Sequence, residues 1–292
     1  MRENKKYLGV LFIILSAFCF AVMNVFVRLA GDIPTIQKSF FRNLVALIFA
    51  FIILKKNHTP LGWKKGNLKF HLIRASCGTL GILCNFYAVD HMAISDASML
   101  NKMSPFFAVI FSFFFLKEKV SPLQIGLVAA AFFGSLFIIK PSFTGLEFLP
   151  AVIGFLGGMG AGAAYTTVRH LGQKGEKGPF IVFFFSAFSC LTTLPYLLLN
   201  YHPMSARQVL FLLCAGLAAS GGQFSITAAY CYSPAKEISV YDYSQIIFAA
   251  LLGLIIFGQI PDKYSILGYV IIISSAVAMF FYNNKKKITD GQ

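Results

Sequence analysis

Residues 97–116, ASMLNKMSPFFAVIFSFFFL, are apolar apart from a short polar interval that contains Asn101 and Lys102. A transmembrane helix needs about 20 predominantly apolar residues, whereas a transmembrane β-strand spans about 10 residues with strict alternation. The run FFAVIFSFFFL does not alternate between apolar and polar residues. We therefore predict a membrane-spanning helix in this stretch.

Comparable apolar stretches fill most of the remaining chain. Hydrophobic residues make up 57% and charged residues 12% of the 292 positions, with a mean hydropathy of +0.72. An average soluble domain is about 25% charged, so these values exclude soluble, disordered and coiled-coil classes. We predict an all-α integral membrane protein with ten transmembrane helices: Leu8–Ala30, Ile36–Leu54, Leu72–His91, Ala97–Leu116, Leu123–Ile139, Leu149–Leu171, Phe180–Leu199, Val209–Tyr232, Ile238–Gly258 and Ile266–Tyr282.

The positions of the basic residues predict the orientation of these helices. The net charge of +14 is divided into short runs between apolar stretches, which indicates membrane topology and no nucleic-acid partner. Most of the 25 Lys and Arg residues lie in segments that are cytoplasmic if both termini are cytoplasmic. We therefore predict a multi-pass protein of the cytoplasmic (inner) membrane with both termini inside. The basic loop at residues 55–71 is expected to contact membrane lipids.

The order of segment lengths and loops occurs twice at a spacing near 141 residues. Leu8 aligns with Leu149, and Arg28 aligns with Arg169. Because each half contains five predicted helices, an odd number, the second half enters the membrane from the opposite side. We predict two inverted five-helix repeats, residues 1–142 and 143–292, which is the arrangement of many secondary transporters.

Two stretches carry a resemblance to a known family. Residues 85–120 read NFYAVDHMAISDASMLNKMSPFFAVIFSFFFLKEKV, and residues 228–268 read AAYCYSPAKEISVYDYSQIIFAALLGLIIFGQIPDKYSILG. This pattern resembles the EamA-type ten-helix transporters of the drug/metabolite transporter superfamily. The resemblance implies movement of small organic solutes through a cavity lined mainly by predicted helices 1, 3, 4, 6, 8 and 9. Glu118 matches the acidic end of the family motif, but Gln259 replaces the usual Glu in the second half.

Two charged residues in predicted spans require an explanation. Lys102 lies in predicted helix 4 and Asp242 in predicted helix 9, and Asn101 is the repeat partner of Asp242. A charge at the bilayer centre costs about 2.5–3.5 kcal/mol on insertion scales, so both should face the protein interior. They could contact a polar substrate or form an ion pair with each other, or Lys102 could snorkel towards the interface.

Two further predictions concern the same region. Pro105 lacks a backbone N–H and either breaks predicted helix 4 near Asn101 or only bends it. Asp242 can bind a proton and is the candidate for proton coupling. Arg42 is interpreted as a snorkelling or loop-contacting residue, and Arg74 lies at a helix end where no special role is assigned.

Uncharged polar side chains on the predicted cavity helices complete the candidate site. Any one of them could instead hydrogen-bond a neighbouring helix. We predict that the substrate-binding residues are Asn24, Asn85, Asn101, Lys102, Tyr165, Gln223, Tyr241, Asp242 and Gln245.

The sequence contains no GxxxxGK[ST] or HExxH motif, and we predict no catalytic residue, cofactor or metal site. The predicted function is secondary transport of a small polar or amphipathic organic solute, either an amino acid or related metabolite or a toxic amine. Alternating access is the expected mechanism, and export is the expected direction. A passive pore or scramblase and a membrane sensor or enzyme are the alternatives. The expected assembly is a monomer or a weak homodimer.

Overall fold

A computed structural model describes residues 2–116, 121–139, 148–232 and 241–289. These residues fold into α-helices joined by short connections, and the described part of the chain contains no β-strand. The all-α prediction is therefore confirmed for this part. Glu118 lies outside it. The helices are α1 (Arg2–Leu29), α2 (Thr35–Lys56), α3 (Leu68–His91), α4 (Ile94–Asn101), α5 (Ser104–Leu116), α6 (Pro122–Ile139), α7 (Phe148–Gln173), α8 (Gly178–Leu199), α9 (Ala206–Tyr232), α10 (Ser244–Phe257) and α11 (Lys263–Thr289).

The lengths and composition of the helices identify a multi-pass membrane protein. Within the described ranges, seven helices are long and apolar enough to span a membrane, namely α1, α2, α3, α7, α8, α9 and α11. The helices α6 and α10 are apolar but shorter. Many large apolar side chains on these helices are exposed, as expected for a surface that faces lipid.

The fourth predicted span is divided into α4 and α5. The helix stops at Asn101 and starts again at Ser104, because Pro105 has no N–H to continue the hydrogen-bond ladder. The N–H of Phe106 bonds to the carbonyl of Met103 at 3.1 Å, so the carbonyl of Lys102 is left for another donor. The region before α10 is similar, since Tyr241 and Asp242 are helical and Tyr243 lies in a turn.

The main helix pairings join the two halves of the chain. α1 packs along α9, α3 along α7, α2 along α8, and α6 along α11. At the first contact the hydroxyl of Ser16 donates to the carbonyl of Gly222 at 2.9 Å. At the second, a Cβ added to Gly81 would lie 3.2 Å from the carbonyl oxygen of Gly157. Small residues at both interfaces allow the backbones to approach closely.

A glycine face on α7 positions the broken helix. A Cβ added to Gly158 would lie 2.4 Å from the carbonyl oxygen of Leu100, and one added to Gly162 would lie 2.7 Å from that of Ser104. No other residue type fits at these positions without moving the backbone. The end of α4 and the start of α5 are therefore held directly against α7, next to Lys102.

Candidate functional site

An ion pair joins the two helix breaks. The Nζ atom of Lys102 lies 2.7 Å from Oδ1 of Asp242, and the two side chains are 2% and 1% exposed. The hydroxyl of Tyr243 donates to the freed carbonyl of Lys102 at 2.9 Å. Lys102 therefore does not snorkel to the interface. It neutralises Asp242 in the protein interior.

The hydrogen bonding of this pair is incomplete. The ion pair is formed through Oδ1, 2.7 Å from Nζ of Lys102, and no described residue donates a hydrogen bond to Oδ2. A carboxylate offers about four acceptor sites, so Asp242 retains capacity for a water molecule or a solute.

A small cavity lies near the middle of the helix bundle. It encloses about 60 Å³, room for roughly four water molecules, whereas pockets for drug-sized ligands measure about 300–1,000 Å³. Both polar and aromatic side chains line the cavity. Its lining residues are Phe20, Met23, Arg42, Arg74, Gly78, Gly81, Ile82, Asn85, Asn101, Ala161, Ala164, Tyr165, Phe185, Gln223 and Gln245.

Five residues predicted from the sequence line this cavity: Asn85, Asn101, Tyr165, Gln223 and Gln245. Oδ1 of Asn85 and Oε1 of Gln245 are buried and accept no hydrogen bond from the described residues. Tyr165 lines the same cavity as Arg42 and Arg74, and its ring stacks on that of Tyr230 with the centroids 5.7 Å apart. Buried polar atoms without protein partners are the groups that a bound molecule would satisfy.

Four predicted residues do not line the cavity: Lys102 and Asp242 form the ion pair, and Asn24 and Tyr241 lie elsewhere. Asn24 is buried behind Asn85, where its Oδ1 accepts a hydrogen bond from Nδ2 of Asn85 at 3.3 Å. Tyr241 is 37% exposed, packs edge-on against Phe280 and does not line this cavity. Neighbouring residues on a helix project about 100° apart, and the burial of Asp242 therefore directs Tyr241 away from the cavity.

The sequence interpretation of Arg42 and Arg74 also requires correction. Both side chains are buried, at 2% and 3% exposure, and both line the cavity. The guanidinium carbon of Arg74 lies 4.0 Å from the ring centroid of Phe185, and that of Arg42 lies 5.7 Å from the same centroid. Each arginine lies about two turns inside its helix. For Arg42 this depth was available from the sequence, whereas Arg74 lies deep only because α3 begins at Leu68 and not at the predicted Leu72. The contact of both with Phe185 depends on the fold.

These arginines carry uncompensated charge. Arg42 donates one hydrogen bond to the neutral Oδ1 of Asn43 at 2.5 Å, and no described residue accepts one from Nε of either arginine. Among the described residues, no carboxylate lies within ion-pair distance of either guanidinium. A buried arginine costs about 2.5–3.5 kcal/mol at the bilayer centre, and an aromatic contact returns about 2 kcal/mol at most.

A helical bundle that crosses the membrane repeatedly, with broken helices around a buried polar cavity, defines a class: membrane transporters of small molecules. The sequence profile of the EamA-like transporter family matches residues 7–140 and again residues 149–281. The chain therefore belongs to the EamA-like transporter family, within the drug/metabolite transporter superfamily.

Individual relatives agree with this assignment. The chain is 30% identical to the pseudopaline exporter CntI of Pseudomonas aeruginosa over 93% of this chain and 95% of that protein. It is 25% identical to a riboflavin transporter of Rhizobium johnstonii over 98% of this chain and 95% of that protein. A crystal structure with 13% identity aligns over 96% of this chain and 98% of that chain with a TM-score of 0.67, which shows similarity of fold alone.

Proposed function

We propose that this protein is a secondary carrier of a small polar or amphipathic organic solute and works by alternating access. In this proposal the bundle consists of two inverted five-helix repeats, residues 1–142 and 143–292, with ten spans in the cytoplasmic membrane and both termini cytoplasmic. The family profile matches once in each half. Because each half has an odd number of spans, the two halves have opposite orientations.

The helix contacts support the inverted repeat. A shift of 141 residues relates Ser16 to Gly157 and Gly81 to Gly222. The contact of Ser16 with Gly222 therefore has a counterpart in the close approach of Gly157 to Gly81. The same shift relates α1 to α7 and α3 to α9, so the contact between α1 and α9 corresponds to the contact between α7 and α3. A pseudo-two-fold axis in the membrane plane accounts for this correspondence and places a shared site between the halves.

The observation that carries the proposal is the meeting of both broken helices beside the cavity. Lys102 follows the end of α4, Asp242 precedes α10, and Asn101 and Gln245 line the cavity next to them. Discontinuous helices at the interface between repeats form the substrate sites of many secondary transporters. We place the binding site here, with Asn85, Tyr165 and Gln223 on its walls.

The volume of the cavity supports a moving carrier. About 60 Å³ is too small for a whole metabolite, because pockets for drug-sized ligands occupy about 300–1,000 Å³. Binding therefore requires separation of the helices around the cavity, as rocking of the repeats would provide. Since a relative is named as an exporter, we propose export as the direction. Amino acids, related metabolites and toxic amines are the solutes to test.

Counterflow in proteoliposomes tests carrier function. Vesicles preloaded with amino acids, organic acids or amines are given the same solute in labelled form outside. A carrier accumulates label transiently through trans-stimulation, whereas a passive pore does not. Asn101→Leu should abolish this accumulation, and exposed Arg207→Gln should preserve it. Equilibration without any overshoot for every solute would contradict the proposal.

Asp242 is the residue to which we assign proton coupling, should a proton gradient drive transport. Its carboxylate retains free acceptor capacity beside the cavity. Asp242→Asn should then remove transport driven by a pH gradient while leaving counterflow, which needs no gradient. Loss of both activities in a variant that still unfolds cooperatively would instead assign Asp242 to the integrity of the site.

A further inference from the structure

We propose that Arg42 and Arg74 form the binding site for the carboxylate of a net-anionic organic solute. This inference rests on the proposed carrier function and narrows its substrate class. Both arginines line the cavity, both are almost completely buried, and both contact the same ring of Phe185. They come from adjacent helices, α2 and α3, so one ligand group can reach both.

The charges around the cavity favour an anion. Lys102 and Asp242 neutralise each other, and Arg42 and Arg74 are the only charged residues among the described residues that line the cavity. Glu176 faces the first turn of α3 but accepts hydrogen bonds from Asn67 and the backbone N–H of Lys64. Since no described carboxylate pairs with the two guanidinium groups, a negatively charged ligand is the missing partner.

The geometry leaves hydrogen-bond donors available to such a ligand. A guanidinium has five N–H donors in a planar fork that matches a carboxylate. Arg42 uses one of them on Asn43, and no described residue accepts a hydrogen bond from Arg74. The guanidinium carbon of Arg74 lies over the ring of Phe185, 4.0 Å from its centroid. This contact holds the guanidinium in place without using any of its N–H donors on a protein acceptor.

The cavity also disfavours an amine. The ion pair with Lys102 already uses the charge of Asp242. The remaining polar groups on the wall are neutral, namely Asn85, Asn101, Tyr165, Gln223 and Gln245. A cationic ligand would therefore add to the positive charge of the two arginines, and no unpaired carboxylate of the described residues lines the cavity to compensate it. The volume of about 60 Å³ corresponds to roughly four water molecules, which accommodates a carboxylate before the helices separate.

The test compares carboxylates with their neutral amides on the purified full-length protein. Thermal unfolding is followed with sodium acetate and sodium succinate, and with acetamide and succinamide at matched ionic strength. Ligand binding to the folded state raises Tm by mass action, so the carboxylates should stabilise the protein and the amides should not. Equal shifts with amides and carboxylates would overturn the proposal.

Arginine variants locate the binding. Arg42→Gln and Arg74→Gln should each raise the Kd for succinate by about 10- to 100-fold, the effect of losing a charge-assisted hydrogen bond. Arg207→Gln is the matched control, because Arg207 also lies over a phenylalanine ring, 5.3 Å from the centroid of Phe211, but is exposed. Unchanged succinate binding in both buried variants would overturn the assignment.

Gly78→Ala gives a test that keeps both charges. A Cβ at this position would lie 2.1 Å from Nη1 of Arg74 and 3.0 Å from Cε2 of Phe185, so the guanidinium must move away from its place on this ring. Succinate binding should weaken in this variant even if the arginine variants fail to fold, and full retention would contradict the proposal.

Counterflow separates the two proposals. Trans-stimulation by amines but not by carboxylates would refute the anion site and leave carrier function intact. Saturable succinate binding without trans-stimulation by any solute would refute the carrier and leave the anion site intact.

Discussion

Lys102 and Asp242 are as deeply buried as Arg42 and Arg74, but the protein compensates the two pairs differently. The first pair consists of opposite charges 2.7 Å apart at the meeting point of two broken helices. The second consists of two like charges that share one aromatic ring and have no acidic partner among the described residues. The charges of the first pair compensate each other within the protein, whereas those of the second are expected to lower the stability of the protein unless an anionic ligand binds.

The largest predicted change in stability comes from replacing one member of the Lys102–Asp242 ion pair. Lys102→Met or Asp242→Asn alone should lower the free energy of unfolding by about 3–5 kcal/mol, because each leaves an uncompensated buried charge. The double variant should be less destabilised than either single variant, since it removes both charges. Unfolding in mixtures of SDS and mild detergent measures all three.

The Lys38–Asp90 ion pair provides the control for this comparison of single and double variants. Its atoms are 2.6 Å apart, but the side chain of Asp90 is 16% exposed, so Lys38→Met should cost less than Lys102→Met. Additive losses in the Lys102 and Asp242 double variant would mean that the two residues do not stabilise each other.

The second predicted change in stability concerns the packing of α7 against the end of α4, next to Lys102. Gly158→Ala places a methyl group 2.4 Å from the carbonyl oxygen of Leu100, and such overpacking typically costs about 1–3 kcal/mol. Gly126→Ala on α6 is the matched control, since an added Cβ there meets nothing within 4 Å. The control should be unchanged or up to about 1 kcal/mol more stable. Equal effects of the two substitutions on thermal unfolding would show that α7 does not position the break.

The sequence predicts some of these features better than others. Apolar run length predicts α1, α2 and α3, and Pro105 predicts a disturbance in the fourth span, because both signals are local. The proximity of Arg42 to Arg74 is not local. The two residues lie on different helices, and only the packing of α2 and α3 against α8 brings both to Phe185. The position of Tyr241 outside the cavity could not be predicted for a related reason, because polarity alone does not reveal which side of a helix faces the cavity.

The third substitution is expected to raise the free energy of unfolding, whereas the first substitutions lower it. Arg74→Met should make the ligand-free protein more stable by about 1–2 kcal/mol. It removes a buried charge that costs about 2.5–3.5 kcal/mol, and it loses an aromatic contact worth up to about 2 kcal/mol. Exposed Arg207→Met should change stability by about 0.5 kcal/mol or less. A large loss of unfolding free energy in Arg74→Met would indicate that a protein group already compensates this charge.

The smallest effect tests how the start of α4 is fixed, and with it the position of Lys102. Oε1 of Gln259, which precedes α11, accepts a hydrogen bond from the N–H of Ile94 at 3.2 Å. This acceptor explains why Gln can replace Glu at the position, since both side chains carry the oxygen that caps the helix. Gln259→Leu should therefore lower thermal stability by about 1 kcal/mol, whereas Gln259→Glu should preserve it because a carboxylate is favourable at a helix N-terminus. Equal destabilisation by Leu and Glu would show that the cap does not depend on the acceptor oxygen.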